Sequence, residues 1–223
     1  MGKDAAGGVS PRAITLPRLY AILDAGVLAR QKMGIGQAAE QLRDAGVTLL
    51  QYRDKASTQE QIRHNAKIIG DIFSGVDCTL VLNDDPALAV LSGWNAVHVG
   101  QGDAAVGVAR KVLLPGGLVG CSTHNDEQVV AADAAEADYV AIGPVFATGT
   151  KADAEPVVGL EGVRRARALT RRPLVAIGGI TPANASSVIE AGADSVAVIG
   201  ALLAGPDTVG EAVHRLLRIL GDR

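Results

Sequence analysis

The sequence has few aromatic residues and only two cysteines. Phe, Trp and Tyr together make up 3% of the 223 residues. Proteins that bind single-stranded nucleic acid need exposed aromatic rings on which bases stack, so this class is disfavoured. Cys78 and Cys121 are too few for a disulfide framework. Both lie in apolar runs, which predicts buried free thiols in a reducing compartment.

The sequence also lacks a long apolar run and a strong net charge. The longest uncharged apolar stretch, Val196–Gly205, is far shorter than the roughly 18 residues that a membrane helix needs. No hydrophobic signal segment follows Met1. The 21 Lys and Arg residues against 24 Asp and Glu residues give a net charge of −3, which argues against a general polyanion binder. We therefore expect a cytoplasmic protein that acts on small-molecule substrates and binds neither nucleic acid nor membranes.

What the sequence does contain is a regular alternation of short β-branched runs and amphipathic segments. The runs predict strands at Leu19–Leu23, Leu49–Tyr52, Leu80–Leu82, Ala96–Val99, Leu118–Cys121, Tyr139–Ile142, Leu174–Ile177 and Ser195–Ile199. The amphipathic segments predict helices at Gly36–Ala45, Thr58–Phe73, Pro86–Ser92, Ala104–Leu113, Asn125–Ala135, Leu160–Thr170, Pro182–Ala191 and Asp207–Leu220. Helix start signals stand at Asp85-Pro86, Thr181-Pro182 and Pro206-Asp207, and Asn125 is a candidate N-cap.

This alternation predicts an α/β protein built from strand–helix units. Eight such units favour a (β/α)8 TIM barrel, a parallel eight-stranded closed sheet, over an open doubly wound sheet. No Pro- or Ser-rich linker divides the chain. We assign residues 1–16 to a flexible N-terminal tail and residues 17–223 to a single barrel domain that carries catalysis.

Polar residues and glycines collect where the predicted strands end. In a barrel these ends meet at one rim, which carries the active site. Gly178-Gly179 and Gly200 follow the last two strands, where barrels commonly hold phosphate on backbone amides. Tight turns alone would also explain these glycines. The pattern therefore predicts a phosphate ligand without identifying it.

Two aspartates at this rim are candidate metal ligands. Asp84 and Asp103 follow neighbouring predicted strands, so their carboxylates could face one point. Two carboxylates, phosphate oxygens and waters form a typical Mg²⁺ site, because Mg²⁺ prefers hard oxygen ligands. The alternative is that Asp84 or Asp85 caps the helix at Pro86 and Asp103 caps the next helix. The spacing alone leaves both interpretations open.

Cations from two loops surround the same rim. Arg53 and Lys55 follow the second strand, and Lys151 lies in the loop after the sixth. A solvated loop is the ordinary place for each of them singly, but a diphosphate would need such charges in a protein of net charge −3. The segment Thr148–Lys151 offers two hydroxyl donors and an ammonium, and we predict that Ala147–Val158 forms a lid.

The four histidines give a weaker signal. His64 and His214 fall in charged helical segments, which predicts surface positions. His98 lies in a strand and is expected in the core or the barrel interior, whereas His124 stands at the rim with an open role. The motifs of zinc hydrolases and serine esterases are absent from the sequence.

Taken together, these residues resemble the thiamine phosphate synthase family from about Leu19 to Leu203. The most specific segments are Gln51–Lys55, Asn83-Asp84, His98–Asp103, Gly120–His124, Asp138–Lys151 and Ala176–Ile180. The resemblance implies an Mg²⁺-dependent transferase that condenses 4-amino-2-methyl-5-(diphosphooxymethyl)pyrimidine with 4-methyl-5-(2-phosphoethyl)thiazole. Thiamine phosphate and pyrophosphate would be the products, formed by a dissociative route through a pyrimidine-methyl cation.

The resemblance also implies residue roles. The residues implied for the pyrimidine diphosphate are Gln51, Arg53, Lys55, Asn83, Ser122 and Lys151, with Tyr52 and Asp54 as further substrate-binding residues. Catalytic roles would fall to Arg53, Lys55, Ser122 and Lys151. Mg²⁺ would bind to Asp84 and Asp103. The residues implied for the thiazole phosphate are Thr148, Thr150, Gly179, Ile199 and Gly200, and Gly149 is a further implied substrate-binding residue.

Two departures from the family pattern stand out. The family often has Glu at the position of Asp54, which is a mild change, and Ser at the position of Gly200, whose hydroxyl is lost here. Three alternatives remain open: a thiazole tautomerase relative on the same barrel, another phosphate-substrate barrel enzyme, and a non-catalytic sensor. The sequence also leaves open whether copies of the chain form a homo-oligomer.

Overall fold

Eight parallel strands follow one another around a closed barrel in the computed structural model, which describes residues 14–149 and 155–221. Each strand pairs with its neighbour in sequence, and the first pairs with the last. The strands are β1 (Leu19–Asp24), β2 (Leu49–Arg53), β3 (Thr79–Asn83), β4 (Ala96–Val99), β5 (Leu118–Thr123), β6 (Tyr139–Ile142), β7 (Leu174–Ile177) and β8 (Ser195–Val198). The predicted closed barrel is confirmed, and the open sheet is wrong.

Helices connect the strands around the outside of the barrel. They are α1 (Ala25–Gln31), α2 (Ile35–Asp44), α3 (Gln59–Ile72), α4 (Pro86–Leu91), α5 (Val106–Val112), α6 (Asp126–Ala134), α7 (Gly159–Leu169), α8 (Ala185–Glu190), α9 (Gly200–Leu203) and α10 (Val209–Leu220). The eight predicted helices are present with ends that differ by a few residues. The short helices α1 and α9 were not predicted, because each begins directly at the end of a strand and is too short to show a helical period.

The helix start signals were correct in part. Asp85 accepts a hydrogen bond from the Leu88 amide at the start of α4, and Asn125 caps α6 in the same way. Thr181-Pro182 does not begin a helix, because the Asn184 side chain accepts from the Thr181 amide and holds a turn before α8. Thr208, rather than the predicted Asp207, caps α10 in a capping box.

An aliphatic core fills the barrel and the space between the sheet and the helices. Helix α10 shows the pattern, since its buried residues are Val209, Ala212, Val213, Leu216 and Leu220. The core includes Leu16, one residue before the predicted start of the barrel. Both cysteines are free, and Cys121 is buried as predicted, whereas Cys78 is only half-buried. Within the described ranges, no helix has both the length and the apolar character that crossing a membrane requires.

Two aspartates fasten strands together at the amino ends of the barrel. Asp138, just before β6, accepts hydrogen bonds from the Val119 amide at 2.7 Å and from Arg110 at 2.8 Å. Asp194, just before β8, accepts from the Leu174 amide and from Arg167, both at 2.9 Å. Each of these aspartate latches joins one strand to the preceding strand and to the helix that leads into that preceding strand, and so fixes the register of that pair.

A glycine in β5 makes room for a buried tyrosine. Tyr139 of β6 is 1% exposed, and its ring lies beside Gly120. A Cβ atom built on Gly120 would lie 2.0 Å from the Tyr139 Cζ atom, far inside van der Waals contact. Because the interior is close-packed, neither group has space to move away.

Gly120→Ala is therefore expected to destabilise the barrel by about 1–3 kcal/mol or more, the typical cost of overpacking a core. The measurement is the free energy of unfolding in urea. Gly107→Ala is the matched control, since a Cβ atom on Gly107 in α5 meets nothing within 4 Å. This control should leave stability unchanged or slightly raised. Equal midpoints for Gly120→Ala and the wild type would show that the close approach is not rigid.

Candidate active site

Two adjoining cavities open at the carboxyl ends of the strands. The larger, of about 410 Å³, lies among the loops that follow β5 to β8. The smaller, of about 30 Å³, extends into the barrel interior. The residues that line both are Ser122, Ala141, Ile177, Ala197 and Ile199. The geometry therefore provides two compartments with a shared wall.

The smaller cavity has one polar side and one apolar side. Its polar lining comes from β1 to β5 and consists of Tyr20, Gln51, Arg53, Asn83, His98 and Ser122. Its apolar lining comes from β6 onward and from β1, and consists of Ala141, Val175, Ile177, Ala197, Ile199 and Ile22. A flat ring with hydrogen-bonding groups along one edge fits such a division, because its faces and its polar edge need different surroundings.

Asn83 carries an unsatisfied polar group at this cavity. Its Nδ2 atom is buried and has no hydrogen-bond partner among the described residues. An unpaired buried amide costs about 1–3 kcal/mol, so a group of this kind is expected to have a ligand or ion as its partner. The smaller cavity, which Asn83 lines, is the place from which such a partner would approach.

The wall of the larger cavity depends on two glycines. Gly178 and Gly179 have φ values of 104° and 63°, a region that side chains rarely adopt. A Cβ atom on Gly178 would lie 2.6 Å from Pro144 Cα, and one on Gly179 would lie 2.5 Å from the Ala147 carbonyl oxygen. The loops after β6 and β7 therefore pack backbone against backbone, beside a cavity that Ile199 and Gly200 also line.

Asp84 and Asp103 lie together with Lys55 at the rim. Lys55 forms an ion pair with Asp84, and Asp84 is close enough to interact with Asp103. Burial raises the pKa of the Asp84 carboxyl above its ordinary value, and the charge of Asp103 raises it further, whereas the Lys55 ammonium lowers it. Two carboxylates beside one cation form a site rich in hard oxygen ligands.

Neither aspartate caps a helix. Asp85 takes the capping role at α4, while Asp84 adopts φ 72° and donates its amide to the His98 carbonyl at 2.7 Å. The Asp103 carboxylate accepts from the Gly100 amide at 2.7 Å, and α5 begins only at Val106 without a side-chain cap. The helix-cap alternative is therefore confirmed for Asp85 and wrong for Asp103, and Asp84 caps no helix.

Asp24 holds Arg53 at the edge of the smaller cavity. Asp24 is 3% exposed, ends β1, accepts from the Val27 amide at 2.8 Å to cap α1, and forms an ion pair with Arg53. Sequence reasoning did not identify Asp24. The feature of the sequence that could have identified Asp24 is its position, because an acidic residue at the end of a barrel strand lies at the rim.

Two predicted substrate-binding residues do not line the described cavities. Tyr52 lies between its inward-facing neighbours Gln51 and Arg53, and alternation along the strand turns it outward. Its hydroxyl donates to Asp54 at 2.9 Å and accepts from Asn65 of α3 at 2.8 Å. Asp54 also accepts from two amides of its own loop. The structure thus gives Tyr52 and Asp54 the task of shaping the loop that carries Lys55.

The remaining predicted residues are placed as follows. Thr148 and Gly149 line the larger cavity. Thr150 and Lys151 lie outside the described residues, as does part of the lid predicted over Ala147–Val158, so their roles stay predictions. His64 and His214 are exposed, as predicted.

His124 lines the larger cavity, where its Nδ1 lies 2.6 Å from the Gly143 carbonyl oxygen. A carbonyl only accepts, so Nδ1 carries a proton. His98 lies in the barrel interior, as predicted, and is 8% exposed.

Comparisons with known proteins agree with one another. A model of the thiamine monophosphate synthase family matches residues 19–202. The chain is 49% identical over 195 residues to a thiamine-phosphate synthase of Koribacter versatilis (strain Ellin345), covering 86% of this chain and 92% of that protein. It is 39% identical over 204 residues to a thiamine-phosphate synthase of Chloroflexus aurantiacus (strain ATCC 29366 / DSM 635 / J-10-fl), covering 91% and 92%.

A solved structure shows the same arrangement. The thiamine phosphate pyrophosphorylase from Pyrococcus furiosus superposes with a TM-score of 0.81 at 29% sequence identity, covering 91% of this chain and 95% of that one. The likeness therefore extends over most of both chains.

The contact between the two rim aspartates has a measurable consequence. In metal-free protein, Asp103→Asn is expected to lower the pKa of Asp84, because it removes a charge that raises it. Lys55→Met should have the opposite effect. An NMR titration of the carboxyl carbons measures both shifts. Asp44→Asn, at an exposed ion pair with Arg43, is the control and should leave Asp84 unchanged. An unaltered Asp84 titration in Asp103→Asn would mean that the carboxylates do not interact.

Proposed function

The chain belongs to the thiamine monophosphate synthase family, and on this basis we propose that it joins the aminopyrimidine diphosphate to the thiazole phosphate and releases pyrophosphate. The observation that best supports the proposal is the pair of cavities that meet at Ser122. A reaction that joins two substrates needs two binding compartments with a common boundary, where the reacting atoms can be held in contact.

The aminopyrimidine is assigned to the smaller cavity. Its polar side offers the amide groups of Gln51 and Asn83 and the hydroxyl of Ser122, and its apolar side would contact the ring face. The unsatisfied Asn83 Nδ2 would gain an acceptor on the bound substrate. Because this cavity has a volume of only about 30 Å³, side chains at its mouth must move when the ring enters.

The diphosphate is assigned to the cations at the mouth of this cavity. Arg53, fixed by Asp24, and Lys55, paired with Asp84, already stand at the edge of the barrel. Lys151 would add a third cation from the loop after β6. Charge-assisted hydrogen bonds from such groups are strong where water is excluded, and they offset the charge that grows on the departing pyrophosphate.

Mg²⁺ fits the pair formed by Asp84 and Asp103. The observation that supports the fit is a carboxylate whose pKa is raised by burial and by a second carboxylate at its side. Hard oxygen ligands and one nearby cation match the preference of Mg²⁺ for a few carboxylates together with substrate oxygens. Bound there, Mg²⁺ would supply positive charge to the diphosphate oxygens.

The thiazole phosphate is assigned to the larger cavity. Gly179, Ile199 and Gly200 bring backbone groups to its wall, and Thr148 lies on the opposite loop. At position 200 this chain has no side-chain hydroxyl, so the proposal relies on the Gly200 amide for that contact. The Gly178-Gly179 conformation lets the backbone approach a phosphate closely, because no Cβ atom intervenes.

The proposed chemistry needs no strong protein base. The bond between the pyrimidine methylene carbon and the diphosphate oxygen breaks, and its electron pair leaves with pyrophosphate. The aminopyrimidine donates electron density to the methylene cation that remains. The lone pair of the thiazole nitrogen then forms the new carbon–nitrogen bond. The chain's residues would hold the ring, the diphosphate and the thiazole in line and would exclude water from the cation.

The first test is pyrophosphate release by the purified protein. Release is expected only when both substrates and Mg²⁺ are present, because the ring nitrogen of one substrate must capture the cation formed from the other. The controls omit each substrate and the metal in turn. Failure to release pyrophosphate while the thiazole phosphate still binds would contradict the proposal and favour a tautomerase or a sensor.

The second test concerns the metal ligands. Asp84→Asn should raise the Mg²⁺ concentration for half-maximal activity by about tenfold or more, on the scale of losses at metal sites. Asn tolerates the positive φ of this position, so the backbone is kept. Asp85→Asn is the matched control on the next residue, because Asn caps α4 as well as Asp does. An identical Mg²⁺ requirement in both variants would remove Asp84 from the metal site.

A further inference from the structure

A chain of hydrogen bonds crosses the barrel interior from Gln51 to Ser122. Gln51 Nε2 donates to the Tyr20 hydroxyl at 2.9 Å, and the Tyr20 and Tyr139 hydroxyls lie 2.8 Å apart. The Tyr139 hydroxyl lies 3.0 Å from His98 Nδ1, and His98 Nε2 lies 2.7 Å from Ser122 Oγ. The five side chains come from five strands, and we call this series the interior chain.

The interior chain is closed to solvent along its middle. Tyr20 and Tyr139 are each 1% exposed, and their rings pack edge to face with centroids 5.8 Å apart. The His98 ring stacks on Tyr139 with centroids 5.5 Å apart. Burial raises the pKa of both tyrosine hydroxyls well above the ordinary value of 10.0, so each keeps its single proton at neutral pH.

A single proton on each hydroxyl gives the interior chain one direction. Tyr20 accepts from Gln51, so its own proton goes to Tyr139. Tyr139 in turn donates to His98 Nδ1, which places the proton of the neutral ring on Nε2. His98 Nε2 then donates to Ser122 Oγ. Each link can reverse only if all the others reverse with it.

This direction determines what the two ends present to the smaller cavity. Ser122 Oγ accepts from His98, so the Ser122 proton is available to a ligand. Gln51 uses its amide nitrogen towards Tyr20, so its carbonyl oxygen is available as an acceptor. Both residues line the smaller cavity. The site therefore combines a hydroxyl donor with an amide acceptor.

We infer that Tyr20, Tyr139 and His98 are specificity-determining positioning residues, which select a 4-aminopyrimidine over a 4-oxopyrimidine by fixing the hydrogen-bonding direction of Ser122 and Gln51. The inference rests on the proposed function. A 4-aminopyrimidine carries an acceptor ring nitrogen beside a donor amino group. The 4-oxo analogue carries a ring N–H donor beside a carbonyl acceptor. Its N–H would face the Ser122 donor, and its carbonyl would face the Gln51 acceptor, so neither hydrogen bond could form.

The test compares kcat/KM for the aminopyrimidine diphosphate and its 4-oxo analogue. The wild type should prefer the amino substrate by about 10⁴, as expected where a wrong analogue leaves buried polar groups unpaired. Tyr139→Phe interrupts the interior chain and allows the Ser122 hydroxyl to reverse its hydrogen-bonding direction. The preference for the amino substrate should therefore fall by at least about tenfold. Tyr20→Phe should act in the same direction. Ser195→Ala removes a buried hydroxyl that belongs neither to the interior chain nor to the cavity linings, and it should keep the wild-type preference.

A spectroscopic measurement tests the same inference without substrate. Nitrogen-15 NMR of the folded protein should show the His98 proton on Nε2 in the wild type, and a mixture of tautomers in Tyr139→Phe. Urea unfolding of each variant shows that it is folded before it is compared.

The outcomes separate the two proposals. Absence of turnover with both pyrimidines in the wild type would contradict the proposed function, while the tautomer of His98 would still test the interior chain. A wild-type proton on Nδ1, or an unchanged preference in both Tyr139→Phe and Tyr20→Phe, would overturn the inference even in an active synthase.

Discussion

Parallel closure is the constraint on which the rest of this structure depends. Eight parallel strands that close into a barrel must all end at one rim, and every alternate side chain must point into an interior that holds little water. At the level nearest the rim, this interior is lined by polar side chains on β1 to β5. Polar groups enclosed in this way need partners within the protein, which is why hydroxyls and ring nitrogens from five strands bond to one another.

The same constraint brings opposite charges together at the rim. Asp24 and Arg53 end neighbouring strands, and Lys55 and Asp84 follow the ends of the next pair. Each pair balances a charge that burial would otherwise disfavour. In the proposed reaction, Arg53 and Lys55 would bind the diphosphate, and Asp84 would bind the metal. Within the protein itself, these charges thus neutralise one another.

Much of the fold and part of the site could be predicted from the sequence. The apolar runs marked all eight strands, because a strand buried on both faces has no polar positions to interrupt it. The closeness of Asp84 and Asp103 followed from neighbouring strands. The outward direction of the Tyr52 side chain was not predicted, because a motif of contiguous residues does not show which of its side chains point into the barrel and which point outward. The partners of Tyr20 and Asp24 lie 119 and 29 residues away, a distance that no local pattern spans.

The aspartate latches at the amino ends separate the contacts that align the strands from the loops that line the site. Asp138 and Asp194 perform the same task two strands apart, each with an arginine from the helix that precedes the strand to which it is fastened. The contacts that set the alignment of these two strand pairs therefore span consecutive strand–helix–strand units, at the end opposite the proposed chemistry. Loops at the rim can therefore be exchanged during evolution while the latches at the opposite end keep these strands aligned, so new substrates can be explored without a new fold.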